Sequence, residues 1–411
     1  MIVVSSWSRP LVRAAVITLF IGTSIGTIYM LFLSGMIIYD ADITTILANI
    51  FNKTLHRELQ STAITLFIMG VMYMIVPRIR GIRFEHVLEV KVSFILMVVS
   101  IFIFVFTYYT SYYYAITYLI RLTALAVFTY VISKMLKVAP RTGKISDYYF
   151  IISLMMLITY NIILALNYGM DSLNMIYIWL ASVIYVIFGI QYRVAPVFFG
   201  KAAPIKGLDT LAFVLASTSA LLLIVQMQFY AYTLLLIDSI IFAYSIYIMH
   251  PYKIPELLYT TEDPQSSEKI SRLKFFVPLI RISYIMLILG LLTALLYYLM
   301  PNFALYDLAI HLVTIGFIGI TLMNFMPIML PPIIGRNINY TRFNMQPLAL
   351  LMAGIVIRVV WNILPLITQV NRLILGVSGF IVLASMILYV RMIHLSMEPM
   401  ALNQGSINSK Q

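Results

Sequence analysis

Apolar runs of about 20 residues follow one another along this chain as far as position 395, each ended by a charged or Pro/Gly-containing break. That rhythm constrains the fold more than any motif does. Inside a bilayer every backbone N–H and C=O must find a partner within the protein, so a run of this length reads as a transmembrane helix. The runs fall at approximately 11–38, 57–77, 89–110, 114–136, 147–169, 175–195, 208–227, 230–249, 275–299, 308–330, 346–367 and 371–395. Composition agrees: 62% of residues are hydrophobic and 10% charged, against about 25% charged in a soluble domain. The expected fold is all-α and integral to the membrane, about twelve transmembrane helices in one polytopic domain over 1–411. The first run lacks a small-residue cleavage site behind a short apolar core and reads as a retained span.

The 27 Lys and Arg residues give a net charge of +12. They punctuate the runs instead of forming a patch, so topology explains them better than nucleic acid does. With the N-terminus inside, 21 of the 27 fall in inner segments; Lys53, Arg57 and Arg372 lie in outer loops, and Arg121, Arg281 and Arg358 within spans. The positive-inside rule then predicts a multi-pass protein of the cell (plasma) membrane with both termini cytoplasmic. The one substantial polar loop, 250–274, reads as a cytoplasmic linker. No cysteine is present, which excludes disulfides, thiolate metal sites and Cys nucleophiles. The 25 Met residues are spread through every span and read as core filling. The Asn52–Thr54 sequon lies in the first outer loop, and no phosphate loop, HExxH, nucleophile elbow or paired-carboxylate pattern occurs.

An internal repeat carries more information. "YMIVPRIRG" ends with Pro77 and Gly81, "YRVAPVFFG" with Pro196 and Gly200, and "PIMLPPIIG" with Pro331 and Gly335. With 16 Pro and 18 Gly in the chain, chance gives fewer than one Pro-x-x-x-Gly, and all three close corresponding ends of spans 2, 6 and 10. The reading is a helix stopped by Pro and turned by Gly, three times around a pseudo-threefold bundle of four-span units at roughly 1–136, 137–249 and 275–395.

Of five histidines, His86, His250 and His394 fall on the cytoplasmic side and read as solvated or interfacial rings. His56 and His311 stand at the outer ends of repeat-equivalent spans: His56 precedes Pro77 by 21 residues, and His311 precedes Pro331 by 20 and Pro332 by 21. Two imidazoles at matching depth on two helices suit a flat macrocycle clamped from both faces, and neutral axial imidazoles are favoured in a low-dielectric site. The candidate is one low-spin, bis-His haem b. Histidines that merely cap helix starts fit the spacing as well.

The segment "HLVTIGFIG" at His311 resembles the H-x-x-T-x-G-x-I-G element of the NnrS family, twelve-span haem-containing membrane proteins linked to nitric-oxide stress. "LHRELQSTAITLFIMGVMYMIVPRIRG" resembles the second helix of haem–copper oxidase subunit I, where a His leads a span closed by Pro and Gly. The resemblance implies three four-helix arcs like those of that subunit, with His56 and His311 as ligands of the low-spin haem iron. It also implies Arg372, in the outer turn between spans 11 and 12, as a partner of the haem propionates. The sequence departs from the oxidase pattern as well. Ala309 stands where the oxidases carry a second His on helix 10, and spans 6 and 7 contain no His to ligate copper. An oxygen-reducing centre and its copper are therefore not expected.

Arg121, Arg281, Arg358 and Asp238 sit in spans, where an unpaired charge costs roughly 2.5–3.5 kcal/mol or more. They read either as propionate partners, a proton path or a transport site, or as Arg–carbonyl and Arg–Asp bridges that lock the bundle. The function expected from all of this is an electron-transfer subunit of a respiratory or nitric-oxide-related complex, a redox subunit and not a self-sufficient enzyme. Its partners would be other subunits (a cytochrome or iron–sulfur protein) or quinol, with lipid around it and no nucleic acid. The alternative is a haem-free transporter or structural subunit on the same fold.

Overall fold

The computed structural model describes residues 8–33, 53–110, 114–138, 145–166, 170–252, 264–334, 336–363 and 373–399. Nearly all of them are helical, and the helices follow the hydropathy pattern: α1 Ser8–Leu33, α2 Lys53–Arg80, α3 Val87–Thr110, α4 Tyr114–Val138, α5 Ile145–Ala165, α6 Ser172–Phe198, α7 Leu208–Ile224 and α8 Gln228–Ser245. After them come α9 Pro264–Leu299, α11 Gln346–Ile363 and α12 Leu373–Leu395. Between α9 and α11, Phe303–His311, a π-helical stretch Leu312–Gly319 and Ile320–Ile334 run on continuously and together are called α10.

Ten of the described helices are long and apolar enough to cross a membrane, as a multi-pass membrane protein requires. The shorter α7 and α8 have 17 and 18 residues. α7 stops at a reversal at Gln226, in the left-handed region at φ 63°, where the Met227 amide closes back on the Leu222 carbonyl, and α8 stops at a second one at Tyr247, φ 70°, where the Ile248 amide closes back on the Ala243 carbonyl.

The Pro–Gly repeat has a physical explanation. At the end of α2 the Ile82 amide donates to the Pro77 carbonyl and the Gly81 amide to the Arg78 carbonyl; at the end of α6 Lys201 and Gly200 do the same with Pro196 and Val197. Each is a Schellman termination, which satisfies the last free carbonyls and needs a left-handed residue one position past the helix. Gly81 and Gly200 supply it at φ 64° and 69°. Gly335 of the third copy lies outside the described residues. A Cβ at Gly200 would meet nothing within 4 Å, so Gly200→Ala should cost about 1 kcal/mol through backbone strain alone. Gly200→Asn should cost less, and thermal unfolding of the two variants reads the difference.

The three repeat-equivalent helices α2, α6 and α10 are the deeply buried ones, and the other helices surround them. They meet at a largely apolar cavity of about 40 Å³ lined by Ile64, Val71, Val183, Ile318 and two polar side chains, Gln191 and Thr321. Around this centre the packing runs from helix to neighbouring helix (α4 on α5, α5 on α7, α8 on α9, α11 on α12) and α12 returns to pack on α1. Stacked rings fill the space beside the cavity, with Phe188 on Phe242 at 4.0 Å. Such rings contribute large buried areas with defined geometry.

Two features differ from the expected organisation. The second half of the loop at 250–274 is helical: α9 begins at Pro264 and runs 36 residues, while residues 253–263 lie outside the described set. A short antiparallel ribbon, Arg336–Ile338 with Met397–Pro399, also ties the start of the α10–α11 connection to the end of α12. Arg342 reinforces it with an ion pair to Glu398 at 3.0 Å.

Candidate functional site

His56 and His311 come together at the end of the bundle opposite the Pro–Gly turns. His56 sits in the first turn of α2, because that helix starts at Lys53, ahead of the hydropathy boundary. His311 is the last α-helical residue before the π-helical stretch. The two rings belong to different helices yet lie within electrostatic reach of one another, and Asp307 and Arg358 are within reach of His56 as well. Each side chain is half-buried, His311 being 21% exposed.

The local geometry fixes which nitrogen of each ring is available. His56 Nδ1 stands 2.7 Å from the Gly22 carbonyl oxygen of α1, and His311 Nδ1 stands 2.7 Å from the Asp307 carbonyl oxygen one turn back. A carbonyl only accepts, so both Nδ1 atoms donate and both Nε2 atoms carry the lone pair. Among the described residues neither Nε2 has a protein partner. Metal-bound imidazoles are held in this way, by a second nitrogen bonded to a carbonyl or carboxylate. Gly26 is the other half of the His56 cradle: a Cβ there would lie 2.4 Å from Nδ1, so any larger residue displaces the ring.

Asp307 organises the His311 side. Its Oδ1 lies 3.1 Å from His311 Nδ1, and its Oδ2 accepts from Arg358 Nε and from Asn362 Nδ2, each at 2.8 Å. Arg358 reaches on to Ser378 Oγ of α12 at 3.4 Å. One carboxylate therefore links α10, α11 and α12 around the imidazole. Tyr177 of α6 donates to the Ala309 carbonyl at 2.9 Å, bracing α10 just before His311. On the next turn Gly290 and Gly316 let α9 approach the π-helical stretch closely, since a Cβ at Gly316 would lie 2.6 Å from Met286. π-Helical turns cost hydrogen-bond geometry and concentrate at functional sites, and this one covers the "HLVTIGFIG" motif from Leu312 onward.

The His56 side has its own buried pair. Glu58, fully buried, accepts from Arg121 Nη1 at 2.8 Å, and Arg121 Nε reaches Ser100 Oγ at 3.3 Å. Glu58 Oε1 and Arg57 Nε are buried without a hydrogen-bond partner among the described residues and lie 4.0 Å apart. Arg57, one residue along α2 from His56, thus carries a cation with an unspent donor next to Glu58, Tyr160 and Tyr306. Arg372, the expected propionate partner, lies outside the described residues.

The remaining charges divide. Arg281 donates to the carbonyls of Ile248 at 3.0 Å and His250 at 2.6 Å, so it is an Arg–carbonyl bridge. Asp238 is fully buried and neither carboxyl oxygen has a partner; the expected Arg–Asp bridge does not form there. His86 pairs with Glu89 at 3.0 Å, His250 packs over Tyr244 at 4.3 Å and His394 is exposed. All three lie at the far end from His56 and His311. Among the described residues no three His, Asp or Glu side chains form a group able to hold a metal ion.

No curated protein matches the chain. Over residues 271–396, nearly all of the unit from α9 to α12 that holds Asp307, His311 and Arg358, the chain is similar to a family described as a domain of unknown function, DUF8744.

Proposed function

We propose that the protein holds one low-spin haem b between His56 and His311 and serves as a membrane-embedded electron-transfer subunit of a respiratory or nitric-oxide-related complex. The observation that carries this reading is the pair of imidazoles itself: two rings from α2 and α10, within electrostatic reach of one another, each with Nδ1 tied to a carbonyl and Nε2 left for an axial bond. Haem, when bound, supplies one-electron exchange. The chain's own part is to hold and tune. Gly22 and Gly26 set the His56 ring, Asp307 sets His311, and Arg57 is placed to meet a propionate, a role that Arg372 shares in this reading. Electrons would pass to or from a cytochrome, an iron–sulfur protein or quinol at the histidine end.

The wider frame of the proposal is twelve spans in three four-helix arcs like those of haem–copper oxidase subunit I, both termini cytoplasmic, in the plasma membrane. α7 and α8 then count as short spans, and the Pro–Gly turns face the cytoplasm. Reporter fusions at Asn52 and at Glu268 should land on opposite sides of the membrane; finding both on one side would sink this topology.

A haem-free transporter or structural subunit is the second reading, favoured by the unpartnered carboxyl of Asp238, since intramembrane acids mark ion pathways. One absorbance spectrum separates the two. Purified from a haem-replete host, the protein should show the narrow reduced bands of a six-coordinate b-type haem. Purification without haem would leave the electron-transfer reading without support and turn the assignment to the alternative.

A further inference from the structure

A second site lies away from the histidines, among α5, α6, α8 and α9. Asp238 of α8 is completely buried, and both carboxyl oxygens lack a hydrogen-bond partner among the described residues. Three phenols from three other helices face it electrostatically: Tyr149 of α5, Tyr185 of α6 and Tyr284 of α9. No cation and no second carboxylate acts on it among the described residues. An isolated carboxylate in such a place has neither water nor counter-ion to stabilise it, and the low-energy form carries a proton.

The neighbours make this more than an isolated buried acid. The Tyr149 hydroxyl is also buried without a partner, so an unspent donor lies within electrostatic reach of the carboxyl. Toward the Pro–Gly end, one turn of α5 separates Tyr149 from Ser146 and Asp147. Those two residues meet Arg193, at 2.8 Å through Ser146 Oγ and 3.2 Å through Asp147, and Asp147 also pairs with Arg80. On the opposite side the Tyr284 hydroxyl donates to Gln191 Oε1, while Gln191 Nε2 is unpartnered and the residue lines the central cavity. Polar groups therefore run from the Asp147 cluster past Tyr149 and Asp238 to the cavity between α2, α6 and α10. Phe150, Phe188 and Phe242 pack among them.

The geometry points to Asp238 as a proton-binding site within the bundle, loaded past Tyr149 from the end that carries the Asp147–Arg193 cluster. A hydronium ion on that side gives up one proton: its O–H bond breaks as the O–H bond to one carboxylate oxygen forms, and water is left behind. The site stands on the described helices alone and holds whether or not haem is bound at His56 and His311.

Infrared difference spectroscopy on the purified full-length protein tests it. At neutral pH the wild type should show the carbonyl-stretch band of a protonated carboxylic acid that Asp238→Asn removes and Asp238→Glu shifts without abolishing. Transfer to heavy water should move the band to lower frequency, and Tyr149→Phe should retain the band while slowing that shift. Should Asp238→Asn fail to fold, the Asp238→Glu shift makes the assignment by itself. The proposal is overturned if no band at neutral pH responds to either change at Asp238. A band indifferent to heavy water overturns it too, since the acid would then have no path. So does a band that sodium or potassium ions abolish, which would make the site one for a metal cation.

Discussion

His311→Ala is expected to remove the six-coordinate spectrum altogether, leaving a five-coordinate haem or none. In the proposed site the imidazole would contribute one strong Fe–N bond through Nε2, since Nδ1 is held by the Asp307 carbonyl. Loss of an axial ligand opens the iron to added ligands, so carbon monoxide should bind the reduced variant and not the wild type. His56→Ala should behave alike, while Gly26→Leu should imitate it in milder form, because the larger side chain occupies the space of the His56 ring. His86, His250 and His394 serve as controls. Their rings pair with Glu89, pack on Tyr244 or lie exposed at the other end of the bundle, and replacing them should leave the spectrum unchanged.

The second large effect is on stability. Arg358→Leu should destabilise the protein by about 3–5 kcal/mol, the usual consequence of removing one partner from a buried ion pair. The carboxylate left behind is almost fully buried and keeps only Asn362 and His311 as partners. Adding Asp307→Ala to Arg358→Leu should restore much of the loss, since an uncharged pair carries no desolvation cost. Thermal unfolding of both variants checks this. A double variant no more stable than the single one would mean that Arg358 acts through packing and not through charge. Asp307→Asn separates the roles further: it keeps the shape, removes the charge that faces His311 and should lower the reduction potential's tolerance to pH before it empties the site.

Much of this was written in the hydropathy pattern, and the exceptions have physical causes. Every described helix overlaps an apolar run, because in a chain this hydrophobic the run nearly fixes the helix; α9 is the exception in length, starting at Pro264 within the polar loop. The Pro-x-x-x-Gly spacing was legible as a repeated stop, and its reason is the pair of Schellman bonds that needs a left-handed residue at a fixed distance from the proline carbonyl. Asp307 was missed. Hydropathy set the start of span 10 at 308, just past the residue, although the i, i+4 spacing to His311 places both on one helix face. Glu58 went unnoticed for a similar reason, lying at a span edge whose helix in fact begins five residues earlier at Lys53. The Gly22 carbonyl that orients His56 belongs to another helix, and no local pattern announces it. Nor does sequence announce the π-helical register after His311, which depends on how α9 and Tyr177 hold that turn.

The contact that closes the ring sets an order for building the molecule. α1 packs on α12 through close approaches, Gly379 against Thr27 and Gly376 against Leu31, where a Cβ would lie 2.6 Å from either neighbour. Synthesis delivers α1 well before α12, so α1 waits for a much later helix before one of its faces is covered. α1 must therefore tolerate lipid on that side during assembly. Its Thr23 and Thr27 hydroxyls find the carbonyls of Leu19 and Thr23 in its own preceding turn, so each has a partner while it waits, and Thr23 gains a second, Met386 Sδ of α12 at 3.9 Å, when the ring closes.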